Sequence, residues 1–349
     1  MSDFNYHEQL NIKNTKRLRD LISELPRFCG DFFRGVEPTT SSKTRIAYAY
    51  DLKVFFEFIC NTNPAYKTTS MRNLKIDILD QLTALDIEEF LEYLTYYKSE
   101  EKEYINSATG KKRKLTTIRS FYNYFYKREM INNNPAVLVD IPKVNTKEII
   151  RLDPDEVARL LDEVDSGENL TEKQKAYHNK TRTRDLAIIT LLLGTGIRVS
   201  ECVGLDIDDV DFNNDGIKIV RKGGNEAIIY FSDEVRDALE DYLIEREAVV
   251  TQEGHEDALF LSLQRRRISV RAVENLVKKY STLITSLKNI TPHKLRSTYG
   301  TSLYRATGDI YLVADVLGHS DVNTTKRHYA AIEDARRRSA ASKVKLRTD

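Results

Sequence analysis

IKIVRKGGNEAIIYF, residues 217–231, is the stretch that decides how this chain folds. Residues 217–221 and 227–231 are short runs rich in β-branched and apolar side chains. Lys222-Gly223-Gly224-Asn225 sits between them as a turn signal, so the segment reads as a β-hairpin. Asn213-Asn214-Asp215-Gly216 marks a turn just before it, which makes residues 210–212 a third strand. Outward from the hairpin the period becomes helical on both sides. Helices resume at Ser232 and run on toward the end. Upstream, residues 184–193 form a strongly apolar helix that Gly194 and Gly196 stop. Asp153-Pro154-Asp155-Glu156 opens an earlier helix, with proline in its first turn.

Residues 140–146, DIPKVNT, carry a proline and no periodicity, and read as a linker. The block before it reads as all-helical. Ile46, Tyr50, Val54 and Ile59 recur at helical spacing behind the hydroxyl-rich cap region Thr39-Thr40-Ser41-Ser42, with Phe55, Phe56 and Phe58 thickening the stripe. A second helix starts at Asp86, and a third covers residues 116–128 and ends before Pro135. Residues 1–35 read as a polar leader with a helix over 15–25, stopped at Pro26.

The 349 residues favour two domains. A composition 41% hydrophobic and 31% charged is that of a chain with packed cores. No apolar run is long enough to span a bilayer, and the first residues lack the apolar segment of a secretory signal. Cys29, Cys60 and Cys202 are scattered, which fits a reducing cytoplasm. The net charge of +1 conceals an asymmetry: residues 201–257 hold 17 acidic and 5 basic side chains, residues 265–305 hold 1 and 10. Such opposite fields either mark one face for a polyanion or are solvated helix faces.

Six polar residues in the second half have side chains suited to phosphoryl transfer. They are Arg198 in GTGIRVSE, Lys222 in the hairpin, His293 and Arg296 in TPHKLRST, His319 in LGHSD and Tyr329 in RHYA. A guanidinium grips two phosphate oxygens at once. Glu201 either orients Arg198 or is a solvated acid. His293 and Arg296, spaced i,i+3, share a helix face near an N-terminus that Thr291 can cap. A hairpin lysine can protonate a departing alkoxide. A phenol, with a reference pKa near ~10, needs neighbouring cations to become a nucleophile. Taken singly, each has an ordinary structural reading as salt bridge, cap or solvated group.

Together, in this order and in these contexts, residues 150–335 resemble the tyrosine recombinase (phage integrase) family, whose pattern of Arg, Lys, His-x-x-Arg, His and Tyr is matched by Arg198, Lys222, His293, Arg296, His319 and Tyr329. The helical first half is similar, more loosely, to the family's SAM-like core-binding domain. Among subfamilies the chain resembles the Xer recombinases, and its length and leader are similar to the stand-alone XerS type. The resemblance implies a mainly α, two-domain fold with a small β-sheet. Its expected layout is a leader helix over residues 1–35, an all-helical core-binding domain over 36–139 and a linker over 140–150. An α+β catalytic domain over 151–335 and a tail over 336–349 complete it.

It further implies that Tyr329 forms a 3′-phosphotyrosyl link, with Arg198, Arg296 and His319 on the non-bridging oxygens, Lys222 as proton donor and His293 managing the tyrosine proton. No cofactor or metal enters. The partner is double-stranded DNA held in a clamp, the assembly a homotetramer on two sites with the tail joining protomers, and the task chromosome dimer resolution at a dif-like site during cell division. A DNA translocase partner is left open. Expected phosphate contacts are Lys43, Arg45, Lys111, Lys112, Arg113, Lys114, Arg265, Arg266, Arg267 and Arg271. Tyr122, Tyr124 and Tyr126 read as core before base-stacking platforms. A phage or mobile-element integrase, a type IB topoisomerase and a catalytically silent DNA-binding protein are the competing readings.

Overall fold

The computed structural model describes residues 4–99, 101–144, 150–221, 224–319 and 322. The chain divides into two compact units, Asp3–Lys147 and Glu148–Asp349.

The first unit holds α1 (Tyr6–Glu24), α2 (Cys29–Val36), α3 (Ser42–Thr62), α4 (Ile78–Gln81), α5 (Ala84–Tyr93) and α6 (Ala108–Tyr126). α1 begins nine residues before the sequence places it. Asn5 and Glu8 close a capping box there, each side chain bonding the other's backbone N–H at 3.0 and 2.9 Å. Leu18, Leu21 and Leu25 of the leader are buried with Phe32, Phe56 and Phe121 in one core, so the leader is part of this unit. The core is built on edge-to-face aromatic pairs: Phe32–Phe121, Phe121–Phe125 and Phe55–Phe90 each have centroids 5.1 Å apart. Tyr122 is fully buried, and burial pushes its phenol well above the ordinary range. Tyr124 packs against Phe32 and Phe125, whereas Tyr126 is exposed.

This unit is not wholly helical. β1 (Tyr97–Ser99) and β2 (Lys102–Tyr104) form a short antiparallel hairpin, with Tyr97 opposite Tyr104 and their rings stacked at 5.1 Å. Three-residue strands rich in Lys and Glu carry too little alternation to be read from sequence.

A buried carboxylate ties α3 to α6. Asp51 accepts from Arg113 Nη1 at 2.5 Å and Thr117 Oγ1 at 2.8 Å, and the Lys114 ammonium stands 3.7 Å from its other oxygen. Burial raises the Asp51 pKa against the pull of these partners. Asp51→Ala strands the buried Lys114 charge, and the expected loss is about 3–5 kcal/mol of stability. Urea unfolding followed by circular dichroism measures it; an unchanged midpoint means that Lys114 does not depend on Asp51.

The second unit holds α7 (Pro154–Ser166), α8 (Glu172–His178), α9 (Arg182–Thr195), α10 (Val199–Gly204), α11 (Asp233–Glu247), α12 (Val270–Ile284), α13 (Pro292–Thr307) and α14 (Ile310–Leu317). Its sheet is β3 (Val210–Asp211), β4 (Gly216–Val220) and β5 (Glu226–Tyr230), antiparallel in that order, with Ile217 opposite Ile229 and Val220 opposite Glu226. α9 is apolar on nearly every side because it is central: it packs against α7, α11, α12 and α13. Its buried Asp185 accepts from Arg184, Thr181, Tyr280 and Lys279, which fastens α9 to α12. Among the described residues no helix is long and apolar enough to cross a membrane.

Candidate active site

The site grows from the stop of α9. Gly196 closes that helix in the left-handed region at φ 64°, and a Cβ there would lie 2.3 Å from the Tyr299 ring and 3.1 Å from Leu317. Conformation and space both demand glycine. The turn delivers Arg198 to the N-cap of α10. Glu201, three residues on, accepts from the Arg198 backbone N–H at 2.6 Å and from Nη1 at 2.7 Å. Its carboxylate is buried, so Glu201 orients Arg198 and is not a solvated acid.

α13 brings Arg296. Thr291 stands at its N-cap without a side-chain capping bond, and Pro292 takes the first helical position. Arg296 is buried; Nη1 donates to the Gly196 carbonyl at 2.6 Å and Nη2 to the Leu317 carbonyl. His293 lies one turn earlier and is exposed.

Arg198 and Arg296 meet at the C-terminal end of α14. A helix end leaves its last carbonyls without intrahelical partners and carries the negative pole of the helix dipole. Here arginines supply the donors. Arg221 donates to the Asp315 and Val316 carbonyls at 3.2 and 2.9 Å, Arg296 to Leu317, and Arg198 Nη2 to Gly318 at 3.2 Å. Gly318 then turns the chain at φ 59°, and the His319 backbone N–H bonds Ala314 O at 2.9 Å. Arg198, Arg296 and the His319 backbone are thus gathered at one helix end, where the cations offset the negative pole of the helix. Lys222 and Tyr329 lie outside the described residues. Arg221 is the participant that sequence reading missed. Its only signal is its place beside Lys222, for nothing in the hairpin pattern says where its side chain goes. Among the described residues no cluster of His, Cys, Asp or Glu is arranged to hold a metal.

The expected phosphate contacts divide. Lys43, Lys112, Arg265 and Arg271 are exposed, Arg271 pairing with Glu274 at 3.1 Å. Arg266 is exposed and bonds Gln252, Lys111 donates to Thr95 at 2.7 Å, and Arg113 is half-exposed on Asp51. Three are corrected. Arg45 is buried against Glu37 at 2.9 Å; Lys114 is buried near Asp51 and donates to Asn106 at 3.1 Å. Arg267 turns a buried side chain inward to the Val203 and Leu205 carbonyls and Asp206. Those cations hold the fold.

Residues 150–336 match the phage integrase family. The chain belongs to that family. It is a Xer-like tyrosine recombinase, a site-specific recombinase by activity. The tyrosine recombinase XerC of Caldanaerobacter subterraneus subsp. tengcongensis is 33% identical over 317 residues, 88% of this chain and 82% of that one. The tyrosine recombinase XerS of Streptococcus uberis is 29% identical over 349 residues, 91% of this chain and 96% of that one. A solved structure of the XerH site-specific recombinase, bound to a palindromic difH substrate, shares the phage integrase fold. The TM-score is 0.63 at 22% identity, over 86% of this chain and 80% of that one.

Proposed function

We propose that this recombinase cuts and rejoins double-stranded DNA through Tyr329. Its phenol oxygen forms a bond to a backbone phosphorus while the P–O5′ bond breaks, which leaves a 3′-phosphotyrosyl link and a 5′-hydroxyl. Arg198 and Arg296 bind the non-bridging oxygens, where charge builds in the transition state, and His319 adds a hydrogen bond. Lys222 gives a proton to the departing 5′ oxygen, and His293 takes up the tyrosine proton. Attack by a partner strand's 5′-hydroxyl reverses the same bonds, so the energy of one phosphodiester carries into the next. The convergence of Arg198 and Arg296 on the α14 end is the observation that supports this reading.

Lys43, Lys111, Lys112, Arg113, Arg265, Arg266 and Arg271 are the proposed phosphate contacts, in the cytoplasm. The names of the Xer relatives support chromosome dimer resolution at a dif-like site as the task. The working assembly is a tetramer on two sites, coupled by the segment after Glu333. Truncation after Glu333 is expected to lower two-site plasmid recombination by at least about tenfold while single-site affinity stays within about twofold. Equal loss of both rejects the coupling.

The test of the reaction is a nicked suicide duplex carrying the recombination site, whose short 5′-hydroxyl fragment diffuses away. The expected product is a denaturant-resistant protein–DNA adduct, joined through the 3′ phosphate to the peptide that contains Tyr329. No adduct, or one on another residue, rejects the assignment.

A further inference from the structure

Arg221 has no role in the reaction as proposed, yet it is held more firmly than a solvent-facing hairpin cation needs to be. Its backbone is fixed by the turn: its N–H donates to Asn225 O at 2.8 Å and its carbonyl accepts from Gly224 N at 3.1 Å. Its side chain is fixed by a different element. Nη1 and Nη2 reach the consecutive carbonyls of Asp315 and Val316 on the last turn of α14. The planar fork of a guanidinium suits two adjacent acceptors and holds its two donors at a fixed spacing, whereas an ammonium on a flexible stem carries its donors on one freely turning atom. Gly318 makes room for this contact. A Cβ on Gly318 would stand 2.5 Å from Arg221 Nη1 and 2.7 Å from Cζ.

We infer that Arg221 is a positioning residue of the cleavage reaction, tying the end of β4, and with it the next residue Lys222, to the end of α14 that leads into His319. This rests on the reading of Lys222 as proton donor. Lys222 follows Arg221 by one peptide bond, about 3.8 Å between Cα atoms. A tether at Arg221 therefore sets the distance between the hairpin and the arginine-lined helix end. A plain helix-capping role would stabilise α14 without favouring one step of the chemistry. A tether for the proton donor slows the step in which the leaving oxygen needs a proton.

The full-length protein separates the two. Arg221→Ala, Arg221→Lys and Lys222→Ala are compared with wild type on two suicide duplexes. One has an ordinary scissile phosphodiester, the other sulfur in place of the bridging 5′ oxygen, which leaves as a thiolate without protonation. Both Arg221 variants are expected to bind DNA as wild type does and to cut the ordinary duplex about 10- to 100-fold more slowly. On the sulfur duplex they should return to within about threefold of wild type, as Lys222→Ala does. Wild-type rates on the ordinary duplex overturn the proposal. So does equal slowing of the Arg221 variants on both duplexes while Lys222→Ala is rescued, which marks Arg221 as structural only. A Lys222→Ala variant that the sulfur does not rescue removes the proton-donor reading, and the tether with it. Should Arg221→Ala unfold, Arg221→Lys, which keeps the charge and loses the fork, decides alone.

Discussion

Tyr329→Phe is expected to abolish the covalent adduct while DNA affinity stays within about threefold of wild type. The substitution removes one oxygen, and that oxygen is the atom that would bond to phosphorus. No other group on the reaction path replaces it, so the residual rate should fall by on the order of 10⁶-fold, beneath detection. Affinity is set elsewhere, by cations along the duplex together with Arg198 and Arg296. Gel shift and suicide-duplex trapping on the same preparation read the two quantities. Adduct formation by the variant takes the nucleophile's role from Tyr329, and collapse of affinity gives the phenol a part in binding that its chemistry does not predict.

The second large effect belongs to Arg296. It is buried, and it joins two segments: Nη1 holds the Gly196 carbonyl in the turn that delivers Arg198, and Nη2 holds Leu317 at the end of α14. Arg296→Ala leaves both buried carbonyls without these donors, and the expected cost is about 2–4 kcal/mol of stability besides the loss of cleavage. Arg296→Lys separates the two. The charge stays but the fork is lost, so cleavage should fall about 10²- to 10³-fold with the fold and DNA affinity largely kept. Single-turnover cleavage and thermal unfolding measure the pair. Wild-type cleavage by Arg296→Lys means that charge alone suffices at this position.

The parts of the fold written in local pattern were legible. The hairpin of residues 217–231, the apolar α9 and the glycine stop at 196 lie where turn chemistry and periodicity put them. The start of α1 was legible in principle, because Asn5 and Glu8 spell a capping box, but the polar residues between hid the helix. Cations were the harder case. Arg45, Lys114 and Arg267 have the same side chains as the exposed Lys43 and Arg271, and only their partners set them apart. For two of them the partner is distant in sequence: Asp51 lies on another helix from Lys114, and Asp206 follows α10, far from Arg267. The pattern of residue types can nominate a catalytic arginine, but whether a cation faces outward depends on contacts formed only on folding. Arg221 escaped notice for the same reason, since its acceptors belong to a helix almost a hundred residues away.

The choice of acceptor at the end of α14 has one more consequence. A carboxylate that aims a guanidinium also discharges it, whereas a peptide oxygen aims it and leaves the formal charge whole. Glu201 does the first for Arg198; the peptide oxygens of Gly196 and Leu317 do the second for Arg296. Rigidity and attraction for a polyanion are ordinarily traded against each other, and this helix end supplies the first with little loss of the second.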